Sequence, residues 1–239
     1  MEYRYEMHCH SAECSACART SAREMVHKYK NAGYSGLVLT DHFLLGNSAV
    51  DKKLPWDEKM RCYYNAYLEA KDEAEKLDFD VIFGIEHHYG AGKEVLCYGI
   101  DLDFLLNNPD MLSISLDEFS RRAHERGILL IQAHPFRVRD YIDISVTPRL
   151  DLIDGIEVYN AGNKTQGNIQ AFHLANEFGG IITSGSDFHG WPGEPANRAG
   201  ISLPYRVHNG EELVAALKKG DHRLIVNFET VDGVTEDLF

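Results

Sequence analysis

Short apolar runs that alternate with amphipathic stretches limit the folds open to this chain more than any other feature. Residues 36–40 and 128–134 are rich in Val, Ile and Leu and are short enough to be buried strands. Ser21 and Ser115 each stand three residues before a glutamate, which predicts a capping box and the start of a helix. Strands that alternate with helices favour a parallel sheet. We therefore expect one α/β domain over residues 1–239, with its sheet closed or nearly closed into a barrel.

Potential metal ligands stand at the ends of almost all the predicted strands. The strand ends of a barrel meet at one mouth, so residues that are distant in sequence would converge there. His8 and His10 are two residues apart on an extended segment, so both side chains can face one ion. The full set is His8, His10, Asp41, His42, Glu86, His134, Asp187 and His189. Imidazole nitrogens and carboxylate oxygens suit zinc, manganese or iron, and this many ligands predicts two or three divalent ions.

Each of these residues also has an ordinary structural interpretation. A single histidine is more often an ordinary surface or core residue than a ligand, and Asp41 could be a helix cap. Independent structural needs are a poor explanation for potential ligands at the ends of five predicted strands, so the metal interpretation is favoured. The pair Cys14 and Cys17 could ligate zinc or cycle as a dithiol, and it could also be two small residues in a tight loop. Without a second such pair, a cysteine ligand to one ion is favoured over redox chemistry.

Charge and composition exclude several classes of function. The net charge is −13, which disfavours long nucleic acid because polymer binding depends on neutralising phosphates. A small anionic substrate held through bound cations is compatible with this charge. The chain has no apolar run of 18 residues, and its charged N-terminus lacks the apolar centre of a secretion signal. With five cysteines, an odd number, these features predict a reduced cytoplasmic protein without a membrane span.

The order of these motifs resembles the polymerase and histidinol phosphatase (PHP) family. The shared order is HxH, TDH, a strand-end glutamate, AHP and SDxH, and the resemblance covers nearly the whole chain. It implies an α/β fold of the distorted (βα)7 barrel type with a trinuclear metal centre. The ligands it implies are His8, His10, His42, Glu86, His134, Asp187 and His189.

Two positions depart from the family pattern. The family usually has a histidine or aspartate five or six residues after HxH, where this chain has Ser15 and Ala16. Glu13 or Cys17 could replace that ligand, and Cys14 stays open as a third alternative. The family also often has a histidine shortly after the bridging glutamate. Glu94 stands at that place, with His88 as its rival.

The resemblance implies metal-dependent hydrolysis of phosphoesters. The expected attacking group is a hydroxide held between two ions, and Glu86 is expected to bridge the same two ions. Asp187 or His189 is expected to orient the water or to protonate the leaving oxygen. Arg137, Arg139 and Arg198 are candidates to grip the phosphate, because a guanidinium can pair two donors with it. Each of the three could equally be a solvated loop residue.

We expect the substrate to be a small phosphomonoester, similar to histidinol phosphate or to a nucleotide. The alternatives are a nuclease or phosphodiesterase that acts on oligonucleotides, and a metal-binding module without turnover. The near-complete ligand set disfavours the module, and the acidity disfavours the nuclease. The sequence leaves the oligomeric state open.

Overall fold

One ten-stranded sheet forms the centre of the computed structural model, which describes residues 2–239. The strands in chain order are β1 (Tyr3–Cys9), β2 (Gly36–Leu39), β3 (Asp80–Gly90), β4 (Lys93–Tyr98), β5 (Leu129–Gln132), β6 (Gly155–Asn160), β7 (Ile181–Gly185), β8 (Ala199–Leu203), β9 (Arg223–Val226) and β10 (Glu229–Val231). Their order across the sheet is β10-β9-β8-β1-β2-β3-β4-β5-β6-β7. The strands that carry the predicted ligands are therefore neighbours or near neighbours.

The sheet curls so far that the segment after β7 forms backbone hydrogen bonds with the end of β1. The backbone N–H of His10 donates to Phe188 O at 2.9 Å, and the N–H of Phe188 donates to His8 O at 3.3 Å. Six strands, β1 to β3 and β5 to β7, run parallel to one another. The α/β class is thus confirmed, whereas the sheet is mixed rather than parallel throughout, because β4, β8, β9 and β10 pair antiparallel with their neighbours. The predicted count of seven strand–helix units is not reproduced, because β4 follows β3 directly as an antiparallel hairpin.

α-Helices directly follow three of these parallel strands, β1, β2 and β6. The α-helices in chain order are α1 (Ala22–Asn31), α2 (Trp56–Glu75), α3 (Leu102–Asn107), α4 (Leu116–Glu125), α5 (Thr165–Phe178) and α6 (Gly210–Lys219). Ser21 caps α1 in a reciprocal capping box with Glu24, and the Ser115 hydroxyl accepts from Glu118 N at 3.3 Å, so both predicted helix starts are confirmed. Within residues 2–239, every helix is too short or too polar to cross a bilayer.

The core consists of strands that are covered on both faces. All residues of β2, β4, β5 and β6 are buried. Burial on both faces explains why β2 and most of β5 are continuous apolar runs rather than alternating ones. Each fully buried Leu, Ile or Val contributes about 1.5–3 kcal/mol of hydrophobic stabilisation. The strand ends that bear polar side chains are therefore positioned by a rigid apolar layer beneath them.

Candidate metal centre

The predicted strand-end residues converge at one end of the curled sheet. His8 and His10 come from the end of β1, His42 follows β2, Glu86 lies within β3, His134 follows β5, Asp187 and His189 follow β7, and Glu94 lies on β4. All of these side chains except those of His42 and His189 belong to buried residues. The structure thus places together residues separated by up to 181 positions in sequence, between His8 and His189. Their role as ligands stays a prediction.

These side chains form four overlapping groups of three, in each of which the ligand atoms lie within 4.8 Å of one another. The groups are His10–His42–His189, His8–His10–Asp187, His8–Glu86–His134 and His42–Glu86–Glu94. Because Glu86, His8, His10 and His42 each belong to two groups, ions bound there would share ligands. A cluster of ions is more consistent with this arrangement than one isolated site.

Glu86 lies at the centre of the cluster. Its Oε1 is 2.9 Å from His134 Nε2 and 3.2 Å from His8 Nε2. Its Oε2 is 2.6 Å from His42 Nδ1. Burial acts to raise the pKa of Glu86, but His8, His42 and the bond from His134 outweigh it and hold the pKa well below its usual value. Glu86 is therefore a buried carboxylate with imidazoles facing both of its oxygens.

Several buried polar atoms of this cluster lack a hydrogen bond. They include His8 Nε2, His42 Nδ1 and Glu86 Oε2. A buried polar atom without a partner costs about 1–3 kcal/mol, so native proteins rarely leave three of them side by side. Nitrogen and oxygen lone pairs that face one another satisfy their bonding capacity when they ligate cations. The residues present therefore fit divalent metal ions.

Backbone strain occurs at two members of the cluster. His134 has φ of 26° and Asp187 has φ of 55°, and few residues other than glycine adopt positive values. The Asp187 carboxylate contacts the Arg137 guanidinium and lies 3.0 Å from His10 Nε2. Burial acts to raise the pKa of Asp187, whereas Arg137 and His8 lower it well below the usual value. Strained residues of this kind concentrate at functional sites, where surrounding contacts hold them in place.

Glu157 on β6 supports the cluster and was missed by the sequence interpretation. Its Oε1 lies 2.8 Å from His8 Nδ1, and its Oε2 accepts a hydrogen bond from His134 N at 2.9 Å. One carboxylate thus orients two of the predicted ligands. The available signal was a glutamate inside a run of apolar residues, because carboxylates are rarely buried without a partner.

Asp41 and Ser15 form a hydrogen-bonded chain that ends at His10 Nδ1. The Ser15 hydroxyl donates to Asp41 Oδ1 at 2.7 Å and lies 3.3 Å from His10 Nδ1. Asp41 also accepts from the backbone N–H and the hydroxyl of Ser11, both at 2.7 Å. Burial raises the pKa of Asp41 to about 6 despite these bonds. Asp41 therefore holds the loop after HxH and does not face the cluster.

Glu94 and His88, the two candidates for the position after the bridging glutamate, lie in different surroundings. Glu94 faces His42 and His134, with its Oε2 3.5 Å from His134 Nε2, whereas His88 lines the adjacent cavity outside all four groups. Burial, followed by repulsion from Glu86, raises the pKa of Glu94 to about 8.

Glu13 was predicted as a ligand, and the structure places it elsewhere. It is exposed and accepts a hydrogen bond from Ala22 N at 3.0 Å, at the start of α1. Cys14 is buried and donates to Tyr63 O. Cys17 lines the adjacent cavity together with His189 and His42. Burial acts to raise the pKa of Cys17, but the two histidines outweigh it and lower the pKa to about 6.

A cavity of about 610 Å³ opens onto the cluster. Arg137 and Arg139 both line it, and Tyr141 and Trp191 lie at its exposed rim. Arg137 is already engaged, since it contacts Asp187 and donates to Asn160 and Asn163. Arg139 is exposed at the mouth. Arg198, the third predicted phosphate-gripping residue, is outside the lining, and its backbone oxygen accepts a hydrogen bond from Phe228 N at 3.2 Å.

Comparison with known proteins agrees with this architecture. The model of the PHP domain family matches residues 6–179. A two-domain protein from Bacteroides vulgatus, which contains a predicted PHP-like metal-dependent phosphoesterase, superimposes with a TM-score of 0.70 at 16% identity, over 100% of this chain and 68% of that one.

Two further solved structures share the fold. A candidate metal-dependent phosphoesterase from Bifidobacterium adolescentis gives a TM-score of 0.55 at 14% identity, over 90% of this chain and 96% of that one. An amidohydrolase from Chromobacterium violaceum, with bound sulfate and no metal, gives a TM-score of 0.59 at 15% identity. The match covers 89% of this chain and 96% of that one. No curated protein matches this sequence.

Proposed function

Since the chain belongs to the PHP domain family, we propose that it is a metal-dependent phosphoesterase that hydrolyses a small phosphomonoester. The observation that carries this proposal is Glu86, whose two buried oxygens face imidazoles of separate ligand groups. An open cavity lies beside it, lined by the cluster residues His42, Glu94, Asp187 and His189. We further propose that the centre holds two to three Mn, Zn or Fe ions. The curled sheet would then be a variant of the distorted barrel of this family.

The chain's own residues suggest how the reaction is divided among them. Divalent cations at this centre would acidify water and neutralise charge on the phosphate oxygens. Asp187 accepts hydrogen bonds at the base of the cavity and would orient the attacking water. His189 is 15% exposed there, and its Nδ1 bonds to Asp187 O at 2.8 Å. Burial opposes protonation of His189, but Cys17 and Asp187 raise its pKa. Because Nδ1 is engaged with Asp187 O, Nε2 is the nitrogen that would hold a cation, and His189 would assist proton transfer to the leaving oxygen through a bound water.

The cavity and the charge support a small substrate. A volume of about 610 Å³ is typical of sites for small molecules. Arg139 at the mouth can pair with phosphate without giving up another salt bridge, whereas Arg137 is held by Asp187. The net charge of −13 opposes the approach of a long polyanion. These features support a phosphomonoester over an oligonucleotide.

Activity measured on a substrate panel tests this proposal. Protein stripped of metal should be inactive, and added Mn, Zn or Fe should restore hydrolysis of phosphomonoesters but not of short oligonucleotides. Glu86→Gln keeps the shape of the side chain and removes its charge, so it should abolish both metal retention and turnover. Glu75→Gln, on the exposed side of α2, is the matched control and should behave as the wild type. A protein that holds well under one ion and hydrolyses nothing with any of these metals would refute the proposal.

A further inference from the structure

Cys17 lies in a loop that is fixed at both ends beside the metal cluster. The backbone N–H of Ala16 donates to Asn47 O at 2.9 Å, and that of Arg19 donates to His189 O at 2.7 Å. These bonds connect the loop to the segment after β2 and to the segment after β7. Cys17 is thereby held on the wall of the cavity that His42 and His189 also line.

The other four cysteines lack this position. Cys9, Cys14 and Cys97 are buried, and their thiols donate to the backbone oxygens of Val38, Tyr63 and Val95. Cys62 is exposed on α2. Cys17 is thus the one cysteine of the five that lines the cavity.

The ligand group next to Cys17 differs from the other three in charge. Each of the others contains at least one carboxylate, whereas His10–His42–His189 consists of imidazoles alone. Three neutral imidazoles leave the charge of a divalent ion unbalanced. Glu86 supplies an independent sign that a cation belongs here. Its Oε2 is fully buried, lacks a hydrogen bond, and lies 2.6 Å from His42 Nδ1 and 3.7 Å from His10 Nε2.

We propose that the Cys17 thiolate is a further ligand of the cation bound by His10, His42 and His189, and that it makes this position prefer zinc over manganese. Zinc commonly takes a four-coordinate set of imidazole and thiolate ligands, while manganese favours oxygen. On binding, the Cys17 Sγ–H bond breaks, the sulfur lone pair forms the bond to the metal, and the proton passes to solvent. The inference rests on the metal dependence in the proposed function and adds the identity of one ligand.

Cobalt substitution reads the metal–sulfur bond directly. Protein stripped of metal and loaded with Co²⁺ should show a thiolate-to-cobalt charge-transfer band in the near ultraviolet. The band should persist in Cys62→Ser and be absent in Cys17→Ser. Cys17→Ser should also bind zinc roughly 10–100-fold more weakly, with a smaller change for manganese.

Alkylation of the wild type gives a second readout that needs no variant. Iodoacetamide labelling, quantified by peptide mass spectrometry, should be slowed on the order of tenfold at Cys17 by added zinc, while Cys62 in the same sample reacts at an unchanged rate. If metal binds and restores hydrolysis, but the charge-transfer band is missing and zinc leaves Cys17 labelling unchanged, the ligand assignment is overturned and the proposed function stands. If the stripped protein takes up no metal, both fail.

Discussion

His8 Nδ1 lies 2.8 Å from Glu157 Oε1, with both side chains fully shielded from solvent. This contact fixes the orientation of the imidazole and directs His8 Nε2 towards Glu86 Oε1, 3.2 Å away. A carboxylate behind a ligating histidine also raises the basicity of the ring. Glu157 is therefore a positioning residue for the first half of the HxH motif, although it comes from a strand 149 positions later.

Replacing Glu157 by Gln should weaken metal binding without removing a ligand. The amide retains the size of the side chain but loses the charge-assisted bond to His8, so we expect metal affinity to fall roughly 10–100-fold. Zinc titration of the stripped protein against a competing chelator measures this. Glu177→Gln, on the exposed side of α5, serves as the matched control. Equal affinities for the Glu157 variant and the wild type would show that the contact is only structural.

Arg139→Ala should impair substrate use and leave metal content unchanged. The side chain is exposed at the cavity mouth, and among residues 2–239 it donates only to Val138 O, at 3.3 Å, so it can pair with a phosphate. A charge-assisted contact is worth about 1.5–3 kcal/mol, which predicts a loss on the order of ten- to a hundredfold in kcat/KM. Steady-state kinetics with metal analysis in parallel test this, with Arg61→Ala on α2 as control. Unchanged kinetics would assign the phosphate contact to another group.

Arg137→Ala should affect stability first. Arg137 is paired with Asp187, and both side chains are almost completely buried. Removing one partner of a buried ion pair leaves the other charge uncompensated and costs about 3–5 kcal/mol. Urea unfolding of the metal-free protein should show this loss for Arg137→Ala and less than about 0.5 kcal/mol for Arg139→Ala. Similar losses for both variants would contradict the difference in their surroundings.

The sequence predicts those parts of the site that depend on local pattern. Five residues could be predicted to lie together because each ends or follows a short strand, and parallel strand ends meet at one edge. They are His8, His10, His42, Glu86 and His134. The helix starts at Ser21 and Ser115 likewise depend on residues only three positions away.

The contacts that sequence did not predict all depend on distant partners. Glu13 was the predicted ligand, with Cys17 and Cys14 as alternatives, and the loop anchors at Asn47 and His189 that place Cys17 at the cavity follow from no local pattern. Arg198 was grouped with Arg139 by residue type, but only the fold decides which of them reaches the cavity. The predicted count of seven strand–helix units is not reproduced, because β4 pairs with β3 as an antiparallel hairpin with no helix between them.

His222 should make the protein less stable in mild acid. Its Nε2 lies 2.8 Å from Ile182 O, and its buried Nδ1 lacks a partner, so burial lowers the pKa below the usual 6.5. Below that pH the unfolded chain binds a proton that the folded chain does not, so the free energy of unfolding falls as the pH drops. Urea unfolding at about pH 7.5 and about pH 5.5 should show a smaller loss in His222→Gln than in the wild type. His173→Gln, at an exposed position on α5, should lose as much as the wild type. Equal losses in all three proteins would contradict this assignment.

Replacing both His8 and His10 by Ala should remove the stabilisation that metal gives to the folded protein. An ion that binds only the native state adds about 2.7 kcal/mol at a free concentration 100 times its Kd. The two histidines take part in three of the four ligand groups, whereas the apolar strands beneath them carry the core. Thermal unfolding of the wild type should therefore shift upward with added zinc or manganese, and the double variant should unfold cooperatively at a Tm that no longer responds to metal. His27→Ala combined with His173→Ala changes two exposed histidines and should retain the shift. A metal response that persists in the His8 and His10 variant would place the ions somewhere other than the end of β1.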